Sequence, residues 1–130
     1  MFPSHDPRGF EDFPYLKYLQ DQLKFLPSFQ FSNWWVNINR KGDYNIAHVH
    51  PGVDLSCVWY LTDSCSASIS FISPFIFSRG LMYNATKTDD ECFFECMEGE
   101  LLIFPSDLEH RVMPNLTDEP RVSIAFNLKL

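Results

Sequence analysis

The stretch Tyr44-Asn45-Ile46-Ala47-His48-Val49-His50-Pro51-Gly52 places two imidazoles one residue apart in a β-prone run. In an extended strand, side chains at i and i+2 leave the same face. His48 and His50 are therefore spaced to reach one metal ion. A third imidazole, His110, follows Gly99-Glu100-Leu101-Leu102-Ile103-Phe104-Pro105, where Leu101 to Phe104 reads as a buried strand and Pro105 to Glu109 as a turn. The fourth histidine, His5, sits in a polar N-terminal tail. One histidine on a strand is ordinarily a structural group, an apolar body with a polar tip. An H-x-H pair joined by a distant histidine behind a Gly-apolar-Pro strand is far more specific, and points to a metal site.

Outward from that stretch the chain is a series of short strands. Before it, Phe31 to Asn39 is strand-like, and Arg40-Lys41-Gly42-Asp43 is a turn signal. After it, Leu55 to Leu61 alternates: Leu55, Cys57, Trp59 and Leu61 share one face, Ser56, Val58 and Tyr60 the other. The hydroxyl-bearing second face is suited to line a polar cavity. Further strands are expected at Ala67 to Ile72, Cys92 to Met97, His110 to Met113 and Val122 to Leu128, with Glu98-Gly99 as a turn. Ser73 to Asp90 is irregular but carries Phe75, Phe77, Leu81, Met82 and Tyr83, as expected of a packed loop acting as a lid over a site. Upstream, Met1 to Glu11 reads as a loose arm. Asp12 to Leu26 reads as a helix against the outside of the sheet, with Phe13, Leu16, Leu23 and Leu26 on one face, Asp12 as its cap, Pro14 in its first turn and Pro27 as its stop.

About eight short strands behind one N-terminal helix, with no repeats or linkers, argue for an all-β sandwich or barrel, such as a jelly roll. Such a topology sets early and late strands side by side, and so His110 beside His48 and His50. The chain of 130 residues suits one domain, with an arm and helix at 1–30 and a β-core at 31–130. Its 13 phenylalanines and 3 tryptophans imply a core built on large rings, and leave room for a homodimer that buries some of them.

Net charge is −7, and no Lys/Arg cluster is visible, which argues against a nucleic-acid backbone as the main partner. The N-terminus lacks a basic region followed by an apolar run, and no apolar run is long enough to span a bilayer, so neither secretion nor a membrane is expected. Cys57, Cys65, Cys92 and Cys96 match no zinc spacing and read as buried thiols of a reducing, cytoplasmic compartment. The glycosylation patterns at Asn84 and Asn115 then read as chance.

Imidazole suits Zn, Cu, Fe and Ni, and three histidines leave coordination positions open for substrate or oxygen chemistry. Arg121 opens the last apolar strand, Val122-Ser123-Ile124-Ala125-Phe126. Alone it reads as a rim salt bridge with Asp118 or Glu119. Beside a metal, its planar fork is better explained by a carboxylate-bearing cosubstrate.

These pieces resemble the 2-oxoglutarate/Fe(II)-dependent dioxygenases, in particular a small bacterial and phage group. The resemblance rests on Ser32-Asn33-Trp34, Gly42-Asp43-Tyr44-Asn45, His48-Val49-His50-Pro51-Gly52, Ser56 through Leu61, Gly99 through Ser106, His110, Pro114-Asn115 and Asp118 through Asn127, spanning roughly residues 31–128. It implies a double-stranded β-helix, Fe(II) held by His48, His50 and His110, and the distal carboxylate of 2-oxoglutarate held by Arg121, with Tyr60 and Asn127 assisting. It also implies hydroxylation of a small-molecule or peptidyl substrate in the cytoplasm of a bacterium or phage-infected cell. Prolyl, other amino-acid, nucleobase and small-metabolite substrates all fit.

The family pattern has Asp or Glu where His50 stands. Either His50 completes a neutral three-histidine set, or Asp54 supplies the acid, or His50 only hydrogen-bonds a metal-bound water. Two other readings fit the same motifs. A cupin-like metalloenzyme shares Gly42…His48-x-His50 and Gly99…Pro105…His110, but has no need of Arg121. A degenerate metal- or small-ligand-binding module is favoured by His50 at the acid position.

Overall fold

Short alternating runs pair here into antiparallel sheets. The computed structural model describes residues 15–74 and 91–130. Among them a short helix, α1 (Leu16–Gln22), precedes β1 (Gln30–Asn39), β2 (Asn45–His48), β3 (Leu55–Tyr60), β4 (Ile69–Ile72), β5 (Glu91–Phe94), β6 (Leu101–Pro105), β7 (His110–Val112) and β8 (Arg121–Lys129). One sheet runs β1-β8-β3-β6 and the other β2-β7-β4-β5. The first strand thus lies beside the last, and β2 beside β7, as the expected double-stranded β-helix requires.

Alternation sorts β3 and β8 into two faces. Cys57, Ile124, Phe126 and Leu128 form a buried layer on the outer face, and Leu19 and Leu23 of α1 cover it, so the helix packs where expected. The inner face carries Val58 and Tyr60, which pack with Ala67, Ile69, Cys96, Phe104 and Val112 between the sheets.

The inner face of the first sheet is built in rows. Asn39 of β1 stands opposite Arg121, Asn37 opposite Ser123 and Trp35 opposite Ala125. On the other side of β8, β3 sets Ser56 opposite Asn127, Val58 opposite Ala125 and Tyr60 opposite Ser123. A polar row therefore lies at each end of the inner face, with an apolar row between.

Several boundaries differ from the sequence reading. The helix ends at Gln22, because the Leu26 N–H donates to Leu23 O in a tighter turn ahead of Pro27. Its expected start at Asp12, the N-terminal arm, and the expected lid beyond Pro74 lie outside the described residues. The histidine strand stops at His48, and Pro51 and Gly52 (φ 82°) form a turn that carries His50 out of the ladder. β4 starts at Ile69 rather than Ala67, whose N–H donates to Ser64 O. β5 stops at Phe94 rather than Met97, because the Cys96 N–H donates to Ser64 Oγ instead of to a neighbouring strand. All four cysteines are free, but only Cys57 and Cys96 are buried; Cys65 and Cys92 are exposed, which corrects the expectation of four buried thiols. Asn115 is 1% exposed and its amide donates to Asn39 O and Glu119 O, so its glycosylation pattern is not addressable in the folded chain. No helix among the described residues is long and apolar enough to cross a membrane.

Candidate metal centre and carboxylate pocket

β2 and β7 pair so that His48 stands directly opposite His110, while Asn45 stands opposite Val112. Three steps on β2 match two on β7, so β2 carries one extra residue. A bulge of this kind re-aims side chains. Asn45 and His48, an odd number of residues apart, both line the same cleft. His50 arrives from the following turn, its N–H donating to Ser106 O at 2.8 Å. Its ring stacks on Trp35, with centroids 5.4 Å apart and planes 14° from parallel. Phe104 meets His110 edge-on at 4.8 Å.

The three imidazoles converge. One ring nitrogen from each of His48, His50 and His110 lies within 4.8 Å of the others. The Nδ1–H of His48 donates to Ile46 O at 2.7 Å, and the Nδ1–H of His110 donates to Leu108 O at 2.8 Å. A carbonyl only accepts, so Nδ1 carries a proton in both rings, and Nε2 is the nitrogen turned toward the cluster. This is the tautomer of a metal-ligating histidine with an anchoring partner. Burial, then the neighbouring His110 and His48, lowers His50 to about 4. Burial also lowers His110, with His48 adding to the effect and the Leu108 carbonyl opposing it. Both rings are therefore neutral donors at pH 7. Asp54 is not part of the cluster: its Oδ2 accepts the Leu130 N–H at 2.8 Å.

At the other polar row, Arg121 is 3% exposed. Its Nη1 donates to Asn39 Oδ1 at 3.0 Å, and its guanidinium carbon lies 5.0 Å from the centroid of the Tyr60 ring. Its Nε is buried without an acceptor, as are Asn37 Oδ1 and Ser123 Oγ without partners nearby. The rim salt bridge does not form among the described residues: Arg121 is turned into the interior, and Asp118 pairs instead with Lys41 at 2.8 Å. Burying a guanidinium without an anion costs several kcal/mol. Its unused donors keep the geometry that grips a carboxylate. Burial pushes the Tyr60 hydroxyl up to about 12, so it stays protonated; Arg121 opposes that rise and Cys96 adds to it.

His48, His50, His110, Arg121 and Asn127 line one cleft of about 440 Å3 of atom-free space, partly open to solvent. Ser56 and Val58 line it too, so the face of β3 expected to border a cavity does so. Tyr60 does not reach the wall; its ring supports Arg121. Ser56 Oγ donates to Asn127 Oδ1 at 2.8 Å, and Asn127 Nδ2 donates to Asn33 Oδ1 at 2.9 Å. Trp35, Asn37, Asn39, Asn45, Phe104 and Ser123 were not singled out from sequence. For three of them a signal exists: Trp35, Asn37 and Asn39 alternate with Val36 and Ile38, which marks a polar inner face on β1.

Fold and site together define a double-stranded β-helix with a histidine cluster and a buried arginine in one cleft. Residues 33–127 match the family model of the 2OG-Fe(II) oxygenases, and the chain belongs to that family. No curated protein matches the sequence. Similar solved structures include an oxidoreductase of the 2OG-Fe(II) oxygenase family from Burkholderia pseudomallei (12% identity, TM-score 0.65, covering 92% of this chain and 54% of that one). HygX from Streptomyces hygroscopicus, solved with nickel and 2-oxoglutarate bound, is 14% identical, with a TM-score of 0.61, over 88% of this chain and 62% of that one. The non-haem α-ketoglutarate-dependent epimerase SnoN from nogalamycin biosynthesis is 15% identical, with a TM-score of 0.60, over 77% of this chain and 46% of that one. At these identities the likeness establishes the fold. The chain spans 46 to 62% of the length of these three proteins.

Proposed function

We propose that this chain is a 2-oxoglutarate- and Fe(II)-dependent dioxygenase that hydroxylates a C–H bond of a small-molecule or peptidyl substrate. The observation that carries this reading is the pairing, in one cleft, of three converging imidazoles with a buried guanidinium that no carboxylate meets among the described residues. The reaction balances as R–H + O2 + 2-oxoglutarate giving R–OH + succinate + CO2. His48, His50 and His110 would hold Fe(II), which would supply the activation of dioxygen. Arg121 takes the distal carboxylate by charge-assisted hydrogen bonds, and Asn39 and Tyr60 hold the guanidinium in place. Trp35 and Phe104 wall the cleft with apolar rings, which strengthens these charge interactions by limiting water. A neutral three-histidine set leaves the metal's charge uncompensated by the protein, so it favours a dianionic cosubstrate. Free thiols on the surface accord with a reducing, cytoplasmic setting.

A binding module without turnover is the second reading, favoured by His50 at the family's acid position and by Asp54 being engaged with Leu130. The test is anaerobic titration of 2-oxoglutarate into Fe(II)-loaded protein, followed by fluorescence of Trp35 and its neighbours, then aerobic assay of succinate. Saturable quenching and succinate formation are expected, with His110→Ala losing both. Cosubstrate binding without succinate would establish the binding module. A metal-loaded protein indifferent to 2-oxoglutarate would overturn the dioxygenase reading and leave the binding module.

A further inference from the structure

We infer that the edge of β2 away from β7 is a binding groove for an extended peptide, which adds as a strand and presents one apolar side chain to the histidine cluster. The inference rests on the dioxygenase reading and names the substrate class of that same site: a peptidyl segment, not a small molecule.

The second sheet runs β2-β7-β4-β5, so β2 pairs with β7 on one side and borders no strand on the other among the described residues. Tyr44, Asn45, Ile46 and His48 line a groove of about 690 Å3 of atom-free space, open to solvent. Asn45 and His48 also line the metal cleft, so the groove opens into it. Tyr44 and Ile46 are the sequence neighbours of Asn45, and alternation sends them to the opposite face. A groove bordered by both faces of one strand follows the edge of that strand.

This edge lacks the usual protection. Exposed edges are ordinarily blunted by lysine, by other charges or by proline. Asn45–His48 contains none of these, and no Asp, Glu, Lys or Arg lines the groove. Tyr44, Ile46 and Val49 are instead 61%, 71% and 43% exposed. The strand has only 4 residues and a bulge, which suits a short segment and not a long sheet-to-sheet contact with a second copy. At a net charge of −7 the chain repels an acidic segment and favours a neutral or basic one.

Register makes the groove productive. His48 stands opposite His110, and His110 opposite Phe71, in one row across the sheet. A strand laid along the far side of β2 continues that row. Its residue opposite His48 sends its side chain to the same face, with Cβ atoms about 4.5–5.5 Å apart. That side chain points to where the imidazoles converge, and carries the C–H written as R–H in the balanced reaction. The residues on either side of it turn to the outer face, where Tyr44 and Ile46 offer apolar contact. Main-chain hydrogen bonds supply affinity in such complexes, and alternate side chains supply specificity. A small metabolite has no main chain with which to use the edge.

The test uses the full chain loaded with Mn(II) and 2-oxoglutarate. The probes are fluorescein-labelled nonapeptides with lysine ends, alternating valine and threonine, and proline, leucine or phenylalanine in turn at the centre. Matched peptides N-methylated at every second amide cannot pair as strands. Saturable anisotropy changes are expected with the first set and not with the second, and amide hydrogen exchange should slow at residues 44–48. Ile46→Lys and Tyr44→Ser, both at exposed positions, should each weaken binding by roughly tenfold, the scale of a hot-spot side chain. Equal binding by the N-methylated peptides, unchanged affinity in both variants, or displacement by equimolar N-acetyl amino-acid amides would overturn the inference. So would a chain whose tryptophan fluorescence responds to 2-oxoglutarate but which binds none of the peptides; in all these cases the proposed function stands. Peptide protection of β2 in a metal-loaded chain indifferent to 2-oxoglutarate would keep the groove and remove the dioxygenase reading.

Discussion

Arg121 is a cation that folding has buried against a neutral acceptor and an aromatic ring, with its Nε left unmet. Lysine keeps the charge but loses the planar fork and the stacking on Tyr60. Arg121→Lys should therefore raise the 2-oxoglutarate KM by roughly tenfold or more, on the scale of ~1.5–3 kcal/mol for a charge-assisted hydrogen bond. Equal KM values in steady-state succinate assays would remove Arg121 from the cosubstrate site. His50 carries a second prediction. Its folded pKa, near 4, lies below the ordinary 6.5. Between those values the unfolded chain binds the extra proton, so stability is full above about pH 6.5 and falls as pH drops toward about 4. His110, also lowered, acts with the same sign. Urea midpoints of the metal-free chain at pH 7 and pH 5 should differ, and His50→Gln should reduce that difference. An identical pH dependence in the variant would show that His50 is not buried in its neutral form.

Between β7 and β8, one side chain organises the loop that delivers Arg121. Asn115 Nδ2 donates to Asn39 O and Glu119 O, and its Oδ1 accepts from the Thr117 N–H and hydroxyl. Its backbone bonds to Gly42 and Asp43, which ties this loop to the β1–β2 turn. Asn39 accepts from the Arg121 guanidinium and Glu119 lies two residues before Arg121, so the loop positions Arg121 indirectly. Asn115→Ala leaves buried partners unmet and should cost about 1–3 kcal/mol in urea unfolding. It should also raise the 2-oxoglutarate KM while metal affinity holds, because β2 and β7 are paired independently of it. A loss of metal affinity equal to the loss of cosubstrate affinity would show that the two ends of the cleft are not separable.

Across the whole molecule, the layers divide labour. Leu19 and Leu23 of α1 seal the outer face of the first sheet, while the cleft opens on its other side, toward the second sheet. Leu19→Ala removes a fully buried side chain and should destabilise by about 2–5 kcal/mol. The folded fraction should keep the wild-type KM for 2-oxoglutarate. A changed KM would mean that helix packing reaches the cleft through β8. Binding to the folded state alone raises stability by mass action. Mn(II) with 2-oxoglutarate should accordingly raise the Tm of the wild type in a concentration-dependent way, and Arg121→Ala should blunt the part due to 2-oxoglutarate.

Much of this was legible in the residues themselves, because strand alternation is local. The two faces of β3, the turns at Gly42 and Gly99, the helix laid on the outer face, and the histidine and arginine positions all follow from neighbours in sequence. The family resemblance rests on the same local motifs. What the tertiary structure decided is non-local register. His50 and His110 are 60 positions apart, and Asn39 and Arg121 are 82 apart. Which of them meet depends on one extra residue in β2 and on the pairing of β1 with β8, and neither leaves a periodic trace. His50 shows this most directly. Its place was expected from i, i+2 spacing in a strand. It is set instead by a turn, a stack on Trp35 and a carboxamide on β8, contacts that exist only once the sheets have closed around them.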